Sequence, residues 1–558
     1  MKKILCLLFV FSFVIAKAQT WQWLAPTTSV ASYTAYGIFP GEIVSDKIGN
    51  TFCVGSFSNN LIVSPTITLT SVGDKDIYII KKDPNGNALW AKRFGGTSED
   101  VGIGITLDKT GNIIISGRFK QTMPMGTYNI SSNGGFDVFI AKLDNNGNTL
   151  WAKSFGGPNS SEWETGNDIT TDTLNNIYVT GHFYSNTTLA PGIVIAANGA
   201  KPDMFVLKMD ASGNYLWAKK GGSSTGGYDI DEGVSIKISH DQNSVIIGGT
   251  FQGAKFIYGT DTIINYNSAS SDSYLISLNP NDGSKQFIRG IRGAAYTNIK
   301  DLDVDLSGNI YVTGYCEAAI FVEPSTQITT AAGAYRIFIF KYDPNGIFLW
   351  STCIGNTTYG HESTTILINH HNKILVCGHY GNHIVSGPFM VTGSGMFLAT
   401  LDTNKTAIDL IKATTALGSY TQIRSMAIDT ADNVYFTGML PYGLNTFGAI
   451  TYTAPSNDLY IAKYGNPTNI ATGIESRIDI NSSISIYPNP SSDLVNIISD
   501  KEITKIVVCD LMGRVIDSYN SENKKNYNLC VKNFSSGVYL FSIHAKDGSI
   551  SKNKVIIE

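Results

Sequence analysis

The chain has 558 residues, 43% hydrophobic and 15% charged, with 55 glycines, 28 tyrosines and 26 phenylalanines. That composition excludes a disordered or collagen-like chain and points to a β-rich globular one. With 41 Lys and Arg against 45 Asp and Glu, a formal charge of -4, there is no basic footprint, so nucleic acid is not expected as a partner.

The chain opens with a signal-peptide pattern at residues 1–18. Lys2 and Lys3 precede an apolar run from Ile4 to Ile15, and Ala16-Lys17-Ala18 supplies the small-residue cleavage site. The run is too short to span a bilayer, so cleavage after Ala18 and export are expected, with no transmembrane segment. Cys6 stands at the start of the apolar run rather than its end, which argues against a lipoprotein box. Losing Lys2, Lys3 and Lys17 leaves 38 basic against 45 acidic residues, a formal charge of -7.

From Asp46 a repeat of the form D..GN.Y.TG.F governs the chain. Its glycines are Gly55, Gly117, Gly181, Gly248, Gly314, Gly378 and Gly438, a period of about 60 to 67 residues. A second signature follows in each unit, as in Asp137 to Gly157 (DVFIAKLDNNGNTLWAKSFGG). Its apolar residues alternate with period two, and Asp-x-x-Gly-Asn turns break the runs. Each unit reads as two hairpins, and radially repeated four-stranded sheets are the blades of a β-propeller. Most units carry a Trp-bearing strand, at Trp90, Trp151, Trp217 and Trp350, but the last unit stops at Asn466 without one. Trp21 and Trp23 supply the missing strand from the front of the chain. The expectation is an all-β fold: a seven-bladed β-propeller over residues 19–466, with the N-terminal strand closing the last blade.

The connections between units are the long, variable ones, and binding surfaces favour such loops. They hold the candidate ligand-contacting aromatics Tyr36 (with Tyr33), Trp163, Tyr228, Tyr296, Tyr359 and Tyr420, whose faces would suit stacked sugars or pack against the next blade. Glu99, Asp100, Glu162, Glu164, Asp229, Asp231, Glu232 and Glu362 gather in the same loops. They read as a solvated acidic rim; a calcium ion is the one cofactor they would suit, and paired carboxylates could instead run glycoside hydrolysis. No metal site is assigned. His182 and His379 follow the repeat glycine and read as strand side chains. Cys53, Cys316, Cys353 and Cys377 occupy strand positions and read as free thiols, while a Cys509–Cys530 bridge stays open.

Residues 467–483 form a polar linker. Residues 484–558 then read as a small antiparallel β-sandwich of six short strands: Leu494 to Ile498, Ile503 to Cys509, Gly513 to Tyr519, Tyr527 to Val531, Gly537 to His544 and Lys552 to Ile557. Within them stand Tyr487-Pro488-Asn489-Pro490, Asp510-Leu511-Met512-Gly513-Arg514, Gly537-Val538-Tyr539-Leu540, and a closing Gly548 with Lys552, Lys554 and Val555. These ordered motifs resemble the type A-like C-terminal sorting domain of cargo of the Bacteroidetes type IX secretion system. The body resembles bacterial β-propeller repeat (SBBP-like) proteins. The resemblance implies export through the type IX machinery as partner, with removal of the tail leaving the propeller extracellular or on the outer-membrane surface.

Function is therefore sought on the propeller face. The favoured reading is a secreted or surface-displayed binding protein for a polysaccharide or protein ligand. The alternative is a carbohydrate-active enzyme, a glycoside hydrolase or lyase, at the channel mouth. No catalytic constellation stands out in the sequence, which tilts the choice to binding.

Overall fold

The computed structural model describes residues 19–557 except 30–37, 160, 198–200, 224–229, 269, 318, 323–325, 329–334, 356–359, 415–421, 466–483, 510–514 and 547–549. The chain divides into two compact units, 1–467 and 468–558. The described residues are all strand, turn and irregular structure, with no helix among them.

In the larger unit β1 (Thr20–Ser29) precedes β2 (Ile38–Ser45), β3 (Thr51–Phe57), β4 (Asn60–Ser64), β5 (Ile67–Thr70), β6 (Asp76–Lys82) and β7 (Ala88–Phe94). The order β2-β3-β6-β7 makes an antiparallel sheet. The turn between β2 and β3 explains the repeat. Asp46 Oδ1 accepts the Ile48 and Asn50 amides at 3.1 and 2.9 Å, and its Oδ2 accepts the Asn50 side chain at 2.7 Å. Gly49 takes a left-handed φ of 85°, which a side chain would resist. In the third, fifth and seventh repeats the tyrosine two residues past the Asn donates its hydroxyl to the same aspartate: Tyr178 to Asp172, Tyr311 to Asp305 and Tyr435 to Asp429. The expected period-two alternation does not hold in the middle strands. β3 and β6 are buried along their whole length, because a neighbouring sheet covers each face. Only the outer strand shows a wet side, with Leu89 49% exposed.

Among the described residues this four-strand order recurs in seven successive sheets, over 38–94, 100–155, 165–221, 232–293, 297–354, 361–414, and 422–465 together with β1, the fourth, sixth and seventh of them extended to six strands. Trp23 of β1 stands opposite Lys463. Trp90, Trp151, Trp217 and Trp350 stand likewise opposite Lys81, Lys142, Lys208 and Lys341. Each indole N–H then donates to a turn carbonyl of the following sheet: Trp90 to Asn145 at 3.2 Å, Trp151 to Ala211 at 3.3 Å, Trp217 to Pro280 at 3.1 Å and Trp350 to Thr403 at 3.1 Å. Trp23 makes the same bond from the last sheet to the first, reaching Pro84 at 3.0 Å. Where the fourth sheet lacks the Trp, Arg289 bonds the equivalent turn at Asn345 and Gly346 instead. The apolar cores lie between neighbouring sheets, one of them joining Phe57 and Tyr78 to Tyr435, Leu459 and Ile461.

The two-hairpin reading of each unit falls short by one hairpin. Between the second and third strands six units insert an extra one, at 60–70, 187–195, 255–264, 320–328, 383–392 and 443–454, and the second unit extends its own strands instead. Several of these lie on the outer strand of the preceding sheet: Ile320–Val322 pairs with Lys285–Gly293, Gly443–Phe447 with Ala407–Thr414, and β4 with β1. The insertion accounts for the long repeat period, and it covers edge amides that would otherwise stay unpaired.

The smaller unit is one antiparallel sheet in the order Ile484–Tyr487, Leu494–Cys509, Gly537–Ala545, Ile550–Ile557, with Val515–Cys530 also pairing Leu494–Cys509. The expected short strands fuse into two of 16 residues. No Gly or Pro interrupts 498–503, so the chain absorbs the break as register shifts rather than turns. Cys509 faces Val515 and Cys530 faces Leu494, at opposite ends of the pair, so the Cys509–Cys530 bridge does not form and both are free thiols. In the Tyr487-Pro488-Asn489-Pro490 motif, Asn489 Oδ1 accepts the Ile556 amide at 2.8 Å, and the Ser491 amide donates to the Ile556 carbonyl at 2.9 Å. The motif thus runs beside the last strand, where the prolines withhold no needed donor. Gly537 opens its strand, and Lys552 and Lys554 pair with Ser542 and Leu540. Gly513 and Arg514 lie outside the described residues.

Candidate functional site

The first strand of every sheet carries one irregularity at the same height. Pairing with the second strand skips between Pro40 and Ile43, Gly102 and Gly104, Gly166 and Asp168, Gly233 and Ser235, Ile299 and Asp301, Ser363 and Thr365, and Ile423 and Ser425. The extra residues are Gly41 with Glu42, then Ile103, Asn167, Val234, Lys300, Thr364 and Arg424. All of them line one cavity of about 920 Å³, whose walls come from the first strands of all seven sheets. A β-bulge re-aims a side chain at a point of close backbone approach. The repeat glycine makes that approach possible, since a Cβ on Gly117, Gly181, Gly314 or Gly378 would lie 1.9 to 2.0 Å from a first-strand carbonyl oxygen.

Carboxylates inside the cavity tie neighbouring first strands together. Asp168 Oδ2 accepts the Ile236 amide at 2.7 Å, Asp301 Oδ2 the Ile366 amide at 3.0 Å, and Glu42 Oε2 the Ile105 amide at 3.2 Å. Lys237 Nζ lies 3.8 Å from Asp168. Burial alone would lower the Lys237 ammonium, but Asp168, Asp301, Glu42 and Asp303 outweigh it and hold it charged. Burial, reinforced by Asp168, raises Glu42 well above the usual carboxylate range, and burial pushes Asp301 up to about 6.

Residues that follow the repeat glycines reach the same cavity, among them Arg118, His182, Thr250 and His379. His182 Nδ1 lies 3.7 Å from Glu232 Oε2, and His379 Nε2 4.0 Å from Glu362 Oε2. Asn167 donates to Glu232 at 3.2 Å and to the Gly233 carbonyl at 2.9 Å. Burial would raise Glu232, yet His182 and Lys300 bring it below its usual value. Burial lowers His379. The lining therefore presents amide, hydroxyl, carboxylate, imidazole and cationic groups together. Among the described residues no three His, Cys, Asp or Glu side chains gather as a metal site.

Two of the six sequence-predicted aromatics are described. Trp163 is 56% exposed, packs edge-on to Phe136 at 5.9 Å and lies 5.8 Å from the Arg118 guanidinium. It therefore both touches the preceding sheet and offers a free face. Tyr296 is 41% exposed. Neither is among the residues lining the cavity. Tyr36, Tyr228, Tyr359 and Tyr420 lie outside the described residues, as does Asp229.

The acidic rim is not uniformly solvated. Asp100, Glu164 and Asp231 are 0%, 1% and 1% exposed. Their carboxylates turn inward to cap loop amides, at Gly96, Gly157 and Ser223. Burial is the main cause that pushes them up, to about 7, 8 and 8. Sequence gave no sign of this, because acidic loop residues look alike whether they face water or a backbone. His182 and His379 lie in strands, as their place in the repeat predicts. Their convergence with Glu232 and Glu362 depends on strand order, although their place after the repeat glycine was a usable signal.

Two family models match segments of this chain. Residues 485–558 match the secretion system C-terminal sorting domain, and residues 150–182 match the β-propeller repeat. An uncharacterized WD repeat-containing protein of Acanthamoeba polyphaga mimivirus is 29% identical over 214 residues, 32% of this chain and 14% of that protein. The regulatory protein FlaEY of Caulobacter vibrioides is 27% identical over 85 residues, 14% of this chain and 9% of that protein. The chain thus spans only a small part of either relative. Among solved structures, a protein of unknown function from Bacteroides caccae aligns over 57% of this chain and 83% of its own, at 10% identity and TM-score 0.29. PorZ, a surface component of the type IX secretion system of Porphyromonas gingivalis, aligns over 95% of this chain and 82% of its own, at 11% identity and TM-score 0.18. The sorting domain marks the chain for type IX export to the cell surface or extracellular space. No helix among the described residues is long and apolar enough to cross a membrane. Residues 150–182 are thus similar to a β-propeller repeat and residues 485–558 to a secretion-system C-terminal sorting domain.

Proposed function

We propose that residues 19–466 form a closed seven-bladed ring that, once exported, binds an extracellular polysaccharide or protein ligand at the mouth of its central cavity. The seam supports closure. β1 completes the seventh sheet, Trp23 bonds the first sheet's turn as its counterparts do, and β4 pairs back onto β1. Ser45 Oγ also donates to the Ile428 carbonyl at 2.6 Å. The single observation that carries the binding reading is the bulge ring. The same backbone device recurs in all seven sheets, yet the side chain it presents differs each time, as a ligand site requires and a scaffold does not. The six loop aromatics, Tyr36, Trp163, Tyr228, Tyr296, Tyr359 and Tyr420, are further candidate ligand contacts in this reading. The propeller, the linker at 467–483 and the tail at 484–558 are the working domains, and the tail engages the type IX machinery.

Cavity carboxylates do converge, which an enzyme would also need, but Asp168, Asp301 and Glu42 are each engaged with a neighbouring strand's amide. Binding is therefore the better-supported reading. Its test is an array of extracellular glycans and matrix proteins probed with the full chain, the double variant Asn167→Ala/Thr364→Ala and Trp163→Ala. A ligand retained by the wild type and lost by the cavity variant is expected; signals that ignore both variants, or none at all, would sink the proposal.

A further inference from the structure

We propose that Asp137 and Glu164, away from the central cavity, hold a calcium ion in the place where neighbouring sheets keep a cation of their own. The third strand of each of the first four sheets carries a buried aspartate at one register position. Asp76, Asp137, Asp203 and Asp272 stand opposite Phe57, Phe119, Phe183 and Phe251. In three of these sheets the outer strand supplies a positive charge. Arg93 Nη1 lies 2.5 Å from Asp76 and Lys220 Nζ 3.3 Å from Asp203, and the Arg292 charge offsets part of the burial of Asp272. Arg93 and Lys220 stand opposite Tyr78 and Phe205; at the same position in the second sheet, opposite Phe139, the chain has Ser154. Among the described residues no lysine, arginine or histidine forms an ion pair with Asp137 or Glu164.

The two carboxylates meet without a counter-charge. Asp137 is 1% exposed and its Oδ1 has no hydrogen-bond partner, while Oδ2 accepts the Asn133 amide at 3.0 Å. Glu164, also 1% exposed, spends Oε1 on the Gly157 amide. A Cβ on Gly156 would lie 2.4 Å from Asp137 Oδ1 and 2.6 Å from Glu164 Oε2, so both free oxygens converge on one point of the backbone. Calcium takes oxygen ligands at about 2.3–2.6 Å in irregular geometry and can bridge two such oxygens. The Gly156 carbonyl, which accepts Asn133 Nδ2 at 3.1 Å, offers a third oxygen beside them. Glu162, held by Asn159 and Ser185, adds negative charge nearby. Magnesium keeps several waters, for which side chains this buried leave little room. Nitrogen and sulfur ligands, which transition metals favour, do not accompany the pair. The ion fastens the connection from Gly156 to Glu164, with its exposed Trp163, to the third strand of the second sheet.

The test is calorimetric titration of the full chain, stripped of metal with a chelator and returned to clean buffer, with calcium chloride and with magnesium chloride. Thermal unfolding followed by circular dichroism accompanies it. Calcium should bind and raise the thermal midpoint by a few degrees, with magnesium roughly 10-fold weaker or more. Asp137→Asn and Glu164→Gln should each weaken calcium binding roughly 10-fold or more, since each removes a charged ligand. Ser154→Lys gives the second sheet the ammonium that Lys220 gives the third; it should fold and lose the calcium response. Without calcium the pair keeps a proton instead, so Glu164→Gln is then the more stable chain above neutral pH, and saturating calcium should reverse that order. No calcium uptake, uptake that Asp137→Asn and Ser154→Lys leave unchanged, or equal binding of magnesium overturns the proposal.

Discussion

Replacing Glu164 with Gln should make the protein more stable above neutral pH. Glu164 is 1% exposed and accepts the Gly157 amide through Oε1 at 3.0 Å. Its other oxygen faces Asp137, itself 1% exposed, whose Oδ1 has no hydrogen-bond partner. A Cβ on Gly156 would lie 2.4 Å from Asp137 Oδ1 and 2.6 Å from Glu164 Oε2, so those two oxygens stand within about 5.0 Å of each other. Burial, and then the Asp137 charge, push Glu164 up to about 8, against about 4.3 in an unfolded chain. Between those values the folded protein keeps a proton that the unfolded chain releases. Stability is therefore full below about pH 4 and falls as pH rises, by ~1.4 kcal/mol per unit, until the folded group ionises near pH 8. From pH 5 to 7.5 the accumulated loss is about 3 kcal/mol for this group. Gln cannot titrate, and its amide can both accept from Gly157 and donate to Asp137. Urea unfolding of wild type and Glu164→Gln, followed by tryptophan fluorescence at half-unit steps, should give near-equal stability at pH 5 and a variant advantage of ~2–3 kcal/mol at pH 7.5. A difference that does not change with pH, or one that favours the wild type as pH rises, would refute the buried-pair reasoning.

Trp23→Ala should cost roughly 2–3 kcal/mol, since it removes both the bond to Pro84 and part of an apolar contact; Trp23→Phe should cost about 1 kcal/mol, the share of the hydrogen bond. Urea midpoints check both, and a neutral Trp23→Ala would remove the seam as a source of stability. Deleting Lys552 to Glu558 strips the strand that pairs along Gly537–Ala545 and that Asn489 holds through Ile556. Cell fractionation should then find the protein in the periplasm, and normal release would contradict the role of the tail.

The linear repeat was enough to place β-strands and turns, because Asp-x-x-Gly-Asn turns and the Trp strand are local devices with local sequence requirements. It was also enough to match the front strand to the last sheet, because Trp23 repeats the spacing of Trp90 and Trp151. What it did not disclose depends on partners distant in the chain. Middle strands are buried on both faces only because sheets stack, and that hid the period-two expectation. The inserted hairpins are recognisable only once they lie on a neighbour's edge. Glu164 and Asp231 are indistinguishable in sequence from wet loop acids until the loop closes over them. The bulge ring shows the division most plainly. The repeat glycine is visible seven times, but at Gly117, Gly181, Gly314 and Gly378 its reason is a first-strand carbonyl oxygen about 2.0 Å from where a Cβ would sit. Which residues that bulge turns inward, from Glu42 to Arg424, is decided by strand pairing, and only the stacking of successive sheets brings them to one cavity.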